Sequence, residues 1–433
     1  MVQTDSVTVH GIRALTELAI AMFDATRDIA DTLRNNFRTG FGDPILDGAL
    51  FPNGAIPELY GGPALTQAVE ALGADPTMEP LLPREGEFDP SLSTAMGGSR
   101  QDFRGLVKSL VASALRIMYF DSAEQTHSVL IEQVLRNYES LKRVARGEPI
   151  SVRIIHGIGG VILPPEARIV TPWGTVTPAP QPVNPVLYGM NAFRPPTTAL
   201  LLRDYTTTVA VSRDEFPRPA PDAELFATAQ RITELLPLSF ALAIEGDRHC
   251  APMLTFTTAV QPFTASFGAT SSGRLGPPWQ QTTVEKSDVP AVEDWARRIN
   301  SRHVENLQVT ARRIVSAIAE RTDRSDALVD AVMAWESLVG TKNETVFRVT
   351  AALSKLLATS PSERRSLRRE LANTYDIRSR VVHGDVVDDG KVSLEADNAI
   401  EVALSATRAL YRRAPEWLTY TSNERADRLI LEE

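Results

Sequence analysis

From Pro290 to Pro415 apolar residues recur every three or four positions, and the stripes are punctuated by helix caps. That combination commits the carboxy-terminal third of the chain to packed amphipathic helices. Trp295, Ile299, His303, Leu307, Ala311, Ile314 and Ile318 predict one long helix over 291–320. A second is predicted from Ser325, striped by Leu328, Val332, Trp335 and Val339 and stopped by Gly340. Thr341 and Glu344 have the spacing of a capping box for a third, which carries Val346, Val349, Leu353 and Leu356. The fourth has the clearest start, with Ser360 as N-cap, Pro361 in the first turn and Glu363 reaching back; it should continue to His383 and stop at Gly384. After a turn at Asp388–Asp389–Gly390, a fifth is expected from about Leu394 to Arg413. Connections this short between amphipathic helices imply an antiparallel bundle.

The rest of the chain has a different texture. Residues 1–150 read as mainly helical. Leu15, Leu18, Ala21 and Met22 stripe a helix from Gly11 to about Arg38, with Gly40 as its stop. Residues 40–100, rich in Gly and Pro, are expected to be mostly irregular. One helix or two from about Arg104 to Phe120 follow, then one opened by Asp121 and Glu124 and striped by Val129, Leu130, Val134, Tyr138 and Leu141. Beyond residue 150 β-branched runs take over: 151–163, a hairpin over 168–177 turning at Pro172–Trp173–Gly174, 199–212 and 253–260. Prolines crowd the interval 164–221, yet Ile, Val, Leu and Trp interleave them, which indicates an ordered domain with edge strands and not a linker. The expected organisation is a mainly helical segment over 1–150, a β-rich α+β domain over 151–289 and a helical bundle over 290–433. The fold class is thus an α+β amino-terminal region followed by an all-α antiparallel bundle.

Composition narrows the function classes. With 433 residues the chain has room for two or three domains, and a formal charge of −9 argues against general coating of nucleic acid or membrane. A single cysteine, Cys250, allows no intrachain disulfide and no zinc cluster of cysteines, and fits a reducing cytoplasm. Met1–His10 lacks signal-peptide order and no long apolar run spans a bilayer, so a cytoplasmic protein without membrane attachment is expected. No metal or other cofactor is expected either. Gly157-x-Gly159-Gly160 follows a strand, but Ile162 stands where a dinucleotide loop needs glycine. His249–Cys250 has no partners at ligand spacing, His303 lies on an apolar stripe, and His10, His127 and His156 belong to no constellation. Trp173 and Trp279 lie in turn-rich segments, where packing is the better reading.

The fourth bundle helix carries the informative residues. At about 100° per residue, Leu367, Leu371, Thr374, Val381 and Val382 share one apolar side, with Arg378 in its middle. An arginine there is costly unless it is paired or lies at an opening of the bundle, and Glu336 is an available partner. A separate face gathers Arg365, Arg369, Arg380 and His383 within about 60°, with Asp376 among them. A basic face alone is most often a solvated surface. His383, however, sits at a helix C-terminus, which favours the protonated imidazole and suits it to proton transfer.

Residues 375–384 read Tyr-Asp-Ile-Arg-Ser-Arg-Val-Val-His-Gly. This string, with the helices around Trp335–Glu336–Leu338 and Glu344…Arg348, resembles the HEPN superfamily and most of all its Apea-like branch. The mark of that superfamily is Arg-x-x-x-x-His near the end of a bundle helix. The resemblance covers about residues 325–412. It implies a metal-independent endoribonuclease of the defence or toxin type, giving 2′,3′-cyclic phosphate and 5′-hydroxyl ends. It further implies that Arg378 and His383 are the catalytic pair, with His383 handling a proton and Arg378 stabilising charge on phosphorus. Ser379, Asp376 and Glu336 would support the pair, and Arg365, Arg369 and Arg380 would meet RNA phosphates. Ser379 stands where some relatives carry a longer residue such as Asn. Such domains usually act as homodimers. The implied partners are RNA, with tRNA the substrate class by analogy, and a phage-derived or other trigger acting on residues 1–289. Arg378 and His383 project about 140° apart on a regular helix, so a distortion at the helix end or a second chain must unite them. Two alternatives stay open: a non-catalytic RNA- or nucleotide-binding module, and a dimerisation bundle in which Arg378 is a buried ion-pair residue.

Overall fold

Helix gives way to sheet at residue 150, and the sheet is then covered on both faces. The computed structural model describes residues 6–27, 62–94, 97–100, 102–121, 126–183, 197–214, 223–246, 248–263, 269–270, 281–340 and 345–432. The amino-terminal layer contains α1 (Ser6–Arg27), α2 (Pro63–Gly73), α3 (Phe103–Asp121) and α4 (His127–Ala145), with the short strands β1 (Ser91–Thr94) and β2 (Gly97–Arg100). Leu15 and Leu18 of α1 and Leu130, Val134, Tyr138 and Leu141 of α4 are buried, as their stripes require. The expected stop at Gly40 lies outside the described residues.

Two expectations for this layer need correction. Within 40–100, α2 is a regular helix after Gly62, its Leu65, Ala68, Ala71 and Leu72 buried, and a 3₁₀ turn follows at Pro76–Leu81. The Ala- and Leu-rich run between the glycines is long enough to bury a face. Asp121 does not open the next helix, since it ends α3; Thr126 caps α4, its side chain accepting from the Val129 N–H at 3.4 Å. The apolar stripe is unchanged and only the start moves.

The next segment supplies β3 (Ile150–Gly159), β4 (Val161–Ile162), β5 (Ile169–Thr171), β6 (Gly174–Val183), β7 (Thr197–Thr207) and β8 (Ala210–Ser212). After α5 (Ala223–Ala243) come β9 (Met253–Val260), β10 (Ala269–Thr270) and β11 (Thr282–Thr283). A six-stranded antiparallel sheet runs in the order β10-β9-β3-β7-β6-β5. The expected strand 199–212 is two strands, because β8 leaves this sheet to pair with β1. Leu200, Leu201 and Leu202 are consecutive and all buried because both sheet faces are covered. Ala199 and Leu201 meet α5 and the bundle, while Leu200 and Leu202 meet Ile155 and Phe256 on the opposite face. α5 has no counterpart among the sequence expectations. Pro237 stands inside it, and Leu235, Leu236, Leu238, Phe240, Ala241 and Leu242 are buried all round, which erases the helical period.

The carboxy-terminal region is multi-helical: α6 (Val289–Arg302), α7 (Gln308–Val315), α8 (Arg324–Val339), α9 (Thr345–Leu357), α10 (Pro361–Val382), α11 (Asp389–Arg412), α12 (Glu416–Thr419) and α13 (Ser422–Leu431). The single helix expected over 291–320 is broken at His303, whose backbone is extended at φ −64° and ψ 130°. Tertiary bonds hold the break: the His303 Nδ1 lies 2.9 Å from the Tyr411 hydroxyl, and Arg302 Nη1 donates to the Tyr411 carbonyl at 3.0 Å. The expected turn at 388–390 is the start of α11, with Asp388 as N-cap accepting from the Lys391 N–H at 2.9 Å. The capping box of α10 is formed as read from Ser360 and Glu363. The one expected at Thr341 and Glu344 lies outside the described residues.

One apolar core runs from Ile158 through α5 to Leu429, so the sheet and the helices share it. Arg408 of α11 locks that junction. Its Nε donates to the Leu242 carbonyl at 2.9 Å and its Nη2 to the carbonyls of Ala241 and Ile244, each at 3.2 Å, while Nη1 reaches Glu401 at 3.1 Å. Replacing Arg408, only 5 % exposed, by Ala should cost about 3 kcal/mol of stability, read as a lower urea midpoint. Arg412→Ala, at a side chain 61 % exposed, should stay within about 0.5 kcal/mol of wild type.

Candidate functional site

α10 is fixed in rotation by what it buries. Leu371, Thr374 and Ile377 point into the core, and the Thr374 hydroxyl and Asn373 amide donate to the buried Glu395 carboxylate of α11 at 2.6 and 3.0 Å. The neighbouring side of the helix then faces a cavity of about 1180 Å³. Its walls are Glu336 of α8, Arg348 of α9, Tyr375, Asp376, Arg378 and Ser379 of α10, and the first turn of α13 at Thr421–Asn423.

The Tyr375 hydroxyl donates to Glu336 at 3.3 Å, and the Tyr375 ring meets Trp335 edge-on at 5.9 Å. Burial, reinforced by the Glu336 charge, holds the Tyr375 phenol well above its ordinary pKa, so it remains a proton donor. Glu336, read from the sequence as an available partner for Arg378, accepts from Tyr375 and lines the cavity with Arg378 without an ion pair between them. Arg378 makes no hydrogen bond or ion pair with any described residue, and its Nε is buried without an acceptor. Leaving a buried donor unsatisfied costs about 1–3 kcal/mol, and more for a charged group. Arg348, on another wall, pairs with Asp427 of α13, yet its own Nε is likewise buried without an acceptor. The start of α13 is held by a capping box between Thr421 and Glu424, and it places the positive end of a helix dipole at the cavity.

The residues singled out in the sequence divide between two places. Arg378, Ser379, Asp376 and Glu336 line the cavity together. His383 does not; it is the exposed C-cap of α10, its backbone N–H donating to the Ser379 carbonyl at 3.0 Å, and Gly384 at φ 83° ends the helix. Arg365 and Arg369 lie exposed on the outer face. Arg380 is drawn to Asp385 at 3.7 Å and to the Val386 carbonyl at 3.4 Å. α10 is regular through Val382, so no distortion at its end brings His383 round to Arg378. On either side of His383, Val382 and Val386 are 51 and 94 % exposed, and Leu394 of α11 is 61 % exposed. Sequence reading did not assign Arg348 or the start of α13 to the site. The Thr421…Glu424 spacing was a legible signal for the latter, whereas Arg348 carries no local signal of its role.

The remaining candidates resolve into structure. Gly157 lies within β3, where a Cβ would sit 2.2 Å from the Phe256 ring, and β4 follows in place of the helix that a dinucleotide loop requires. Trp173 is buried in the hairpin, and Trp279 lies outside the described residues. His10 is exposed, and His127 meets Asp24 at 2.9 Å. Cys250 is buried and its thiol is pushed up to about 12, leaving it neutral and unreactive. Among the described residues no group of three His, Cys, Asp or Glu side chains is placed to hold a metal, and no helix is long and apolar enough to cross a membrane. Compared with protein-family models, with curated proteins and with solved structures, the chain finds no match in any of the three.

His156, 2 % exposed with Nδ1 2.8 Å from the Thr257 hydroxyl, is pushed down to about 4, by burial first and then by Arg203. The unfolded chain, with an ordinary value of 6.5, binds the proton first. The contribution to stability is thus complete above pH 6.5 and is lost as pH falls towards 4. Between pH 6.5 and 5 the loss should be about 2 kcal/mol in urea unfolding, and His156→Gln should narrow it. His249 and His303, whose values burial also lowers, act with the same sign.

Proposed function

We propose that the carboxy-terminal helices form a HEPN-type bundle that cleaves RNA without a metal, as a homodimer, under control of residues 1–289. The observation that carries this reading is Arg378: a cation with no hydrogen bond or ion pair to any described residue, lining a cavity, on the motif string Tyr375–Gly384, in a bundle whose buried arginines Arg408 and Arg425 are bonded. A phosphate supplies acceptors that the described residues do not. In the reaction the ribose 2′-oxygen attacks phosphorus and the bond to the 5′-oxygen breaks, leaving a 2′,3′-cyclic phosphate and a 5′-hydroxyl. Arg378 stabilises the charge that builds on phosphorus, and His383 moves a proton at the attacking or the leaving oxygen. The two residues diverge on one helix, so His383 of one chain serves the Arg378 of another, with Val382, Val386 and Leu394 covered between them. A defence or toxin role, tRNA as substrate and a phage-derived trigger belong to the same proposal and rest on the resemblance.

A second reading draws on the same geometry. The cavity gathers Arg378 without His383, which suits a nucleotide-binding module that performs no chemistry.

Expression of wild type, Arg378→Ala and His383→Ala, followed by growth and by mapping of RNA ends, separates the two. The nuclease reading expects 5′-hydroxyl ends with wild type, reduced about 100-fold or more in both variants. RNA binding without new ends supports the module instead. Val386→Asp should convert a dimer to monomers in light scattering and abolish cleavage while the thermal midpoint is kept. A monomeric variant that still cuts would exclude the composite site.

A further inference from the structure

The cavity presents more than one arginine. Arg348 enters from α9 and Arg378 from α10, and the Nε of each is buried with no acceptor among the described residues. Two arginines that line one space from different helices suit an anion with several oxygens. The volume of about 1180 Å³ is far larger than a bare phosphate needs and is ample for a nucleotide. Charge points the same way. Glu336 and Asp376 share the walls with the two arginines, so the formal charge of the four side chains cancels and an inorganic anion alone gains little. A nucleotide uses both signs, its phosphate accepting from the arginines and the N–H groups of its base donating to the carboxylates. The first turn of α13, with Ser422 and Asn423 on the wall, adds its positive end on the phosphate side of that balance.

We infer that this cavity binds one nucleotide of an RNA strand with its phosphate between Arg348 and Arg378, which makes Arg348 a phosphate-binding residue. The inference rests on the reading of the bundle as an RNA-acting domain and adds where the strand is held. Asp427, which pairs with Arg348, competes with the phosphate for the same guanidinium.

The test uses the full-length protein carrying His383→Ala, which lies outside the cavity and keeps the RNA intact. Binding of a fluorescent RNA oligonucleotide is followed by anisotropy over a salt series. Adding Arg348→Ala should weaken binding about 10-fold or more and reduce the slope of log K against log salt by about 0.7, as for one lost single-strand phosphate contact. Arg348→Lys should restore part of the slope. Asp427→Asn should keep or strengthen binding, because it releases Arg348. A nucleoside 5′-monophosphate should displace the RNA at lower concentration than inorganic phosphate. The idea is overturned if Arg348→Ala binds RNA as its parent does with the same salt slope. It is overturned equally if Arg348→Ala and Asp427→Asn weaken binding alike and both lower the thermal midpoint, the signature of a clamp between α9 and α13. Displacement by phosphate as readily as by nucleotide overturns the nucleotide assignment. Cleavage by the His383-intact protein is scored separately: loss of nucleotide binding in Arg348→Ala without any cleavage by wild type refutes the nuclease and upholds the site. Cleavage with unaltered binding does the reverse.

Discussion

Arginines that close helix C-termini, with Arg408 and Arg425 among them buried, hold this molecule together. Arg408 of α11 bonds the carbonyls of Ala241, Leu242 and Ile244 at the end of α5, and Arg425 of α13 bonds those of Ser337 and Leu338 at the end of α8. Arg302 does the same for α11, and Arg364 donates to the Ala358 carbonyl after α9 at 2.9 Å. Each places a cation on the negative end of a helix dipole and satisfies carbonyls that no turn of helix can satisfy. Burial is thereby tolerated; it lowers the Arg425 pKa only to about 10, so the residue stays charged near neutrality. Because Arg425 fixes the end of α8, it also fixes Glu336 and Gly340, which form a wall of the cavity.

Against this pattern Arg378 is the exception. The fold supplies carbonyls and carboxylates to its other arginines, and Asp330 alone takes Arg313, Arg321 and Ser316. Near Arg378 the half-buried Glu336 accepts from Tyr375, and that phenol stays protonated across the physiological range. Arg378 itself lines the cavity without a bond to any described residue. An arginine Nε buried without an acceptor among the described residues is costly, and a ligand with oxygens in the cavity is one way to offset that cost.

What could be read from the sequence was local. The cap and proline that start α10, the glycine that ends it, and the stripes of α4 and α8 all act within one or two turns, and their elements stand where expected. The separation of Arg378 from His383 was likewise fixed by helix geometry alone. What escaped was set by distance along the chain. Nothing near Arg408 marks it as the cap of a helix 166 residues earlier, and nothing near His303 marks it as a break imposed by Tyr411. α5 escaped for a different reason: from Leu235 onward it is buried on every side and has no polar face to reveal its period. Arg348 escaped because its partners, Asp427 and the cavity, come from α13, a helix not anticipated at all.

The regularity of α10 decides how any chemistry by Arg378 and His383 must be arranged. Its start is pinned by a capping box, its middle by Glu395 beneath Thr374 and Asn373, and its end by Gly384 in the left-handed region, which other residues rarely adopt. Rotating the last turn to bring the imbalance of about 140° to zero would break the backbone bonds from His383 and Gly384 to Ser379 and Val381 and expose the buried Ile377. Those losses amount to several hydrogen bonds and a core side chain, more than a single substrate contact returns. In the proposed dimer a second copy of the chain brings the missing imidazole without any such change, and the bare Val382 and Val386 are available for it to cover. The rigidity that keeps the two residues apart in one chain is thus what leads the proposal to a reaction between two chains, and it ties the proposed activity to protein concentration.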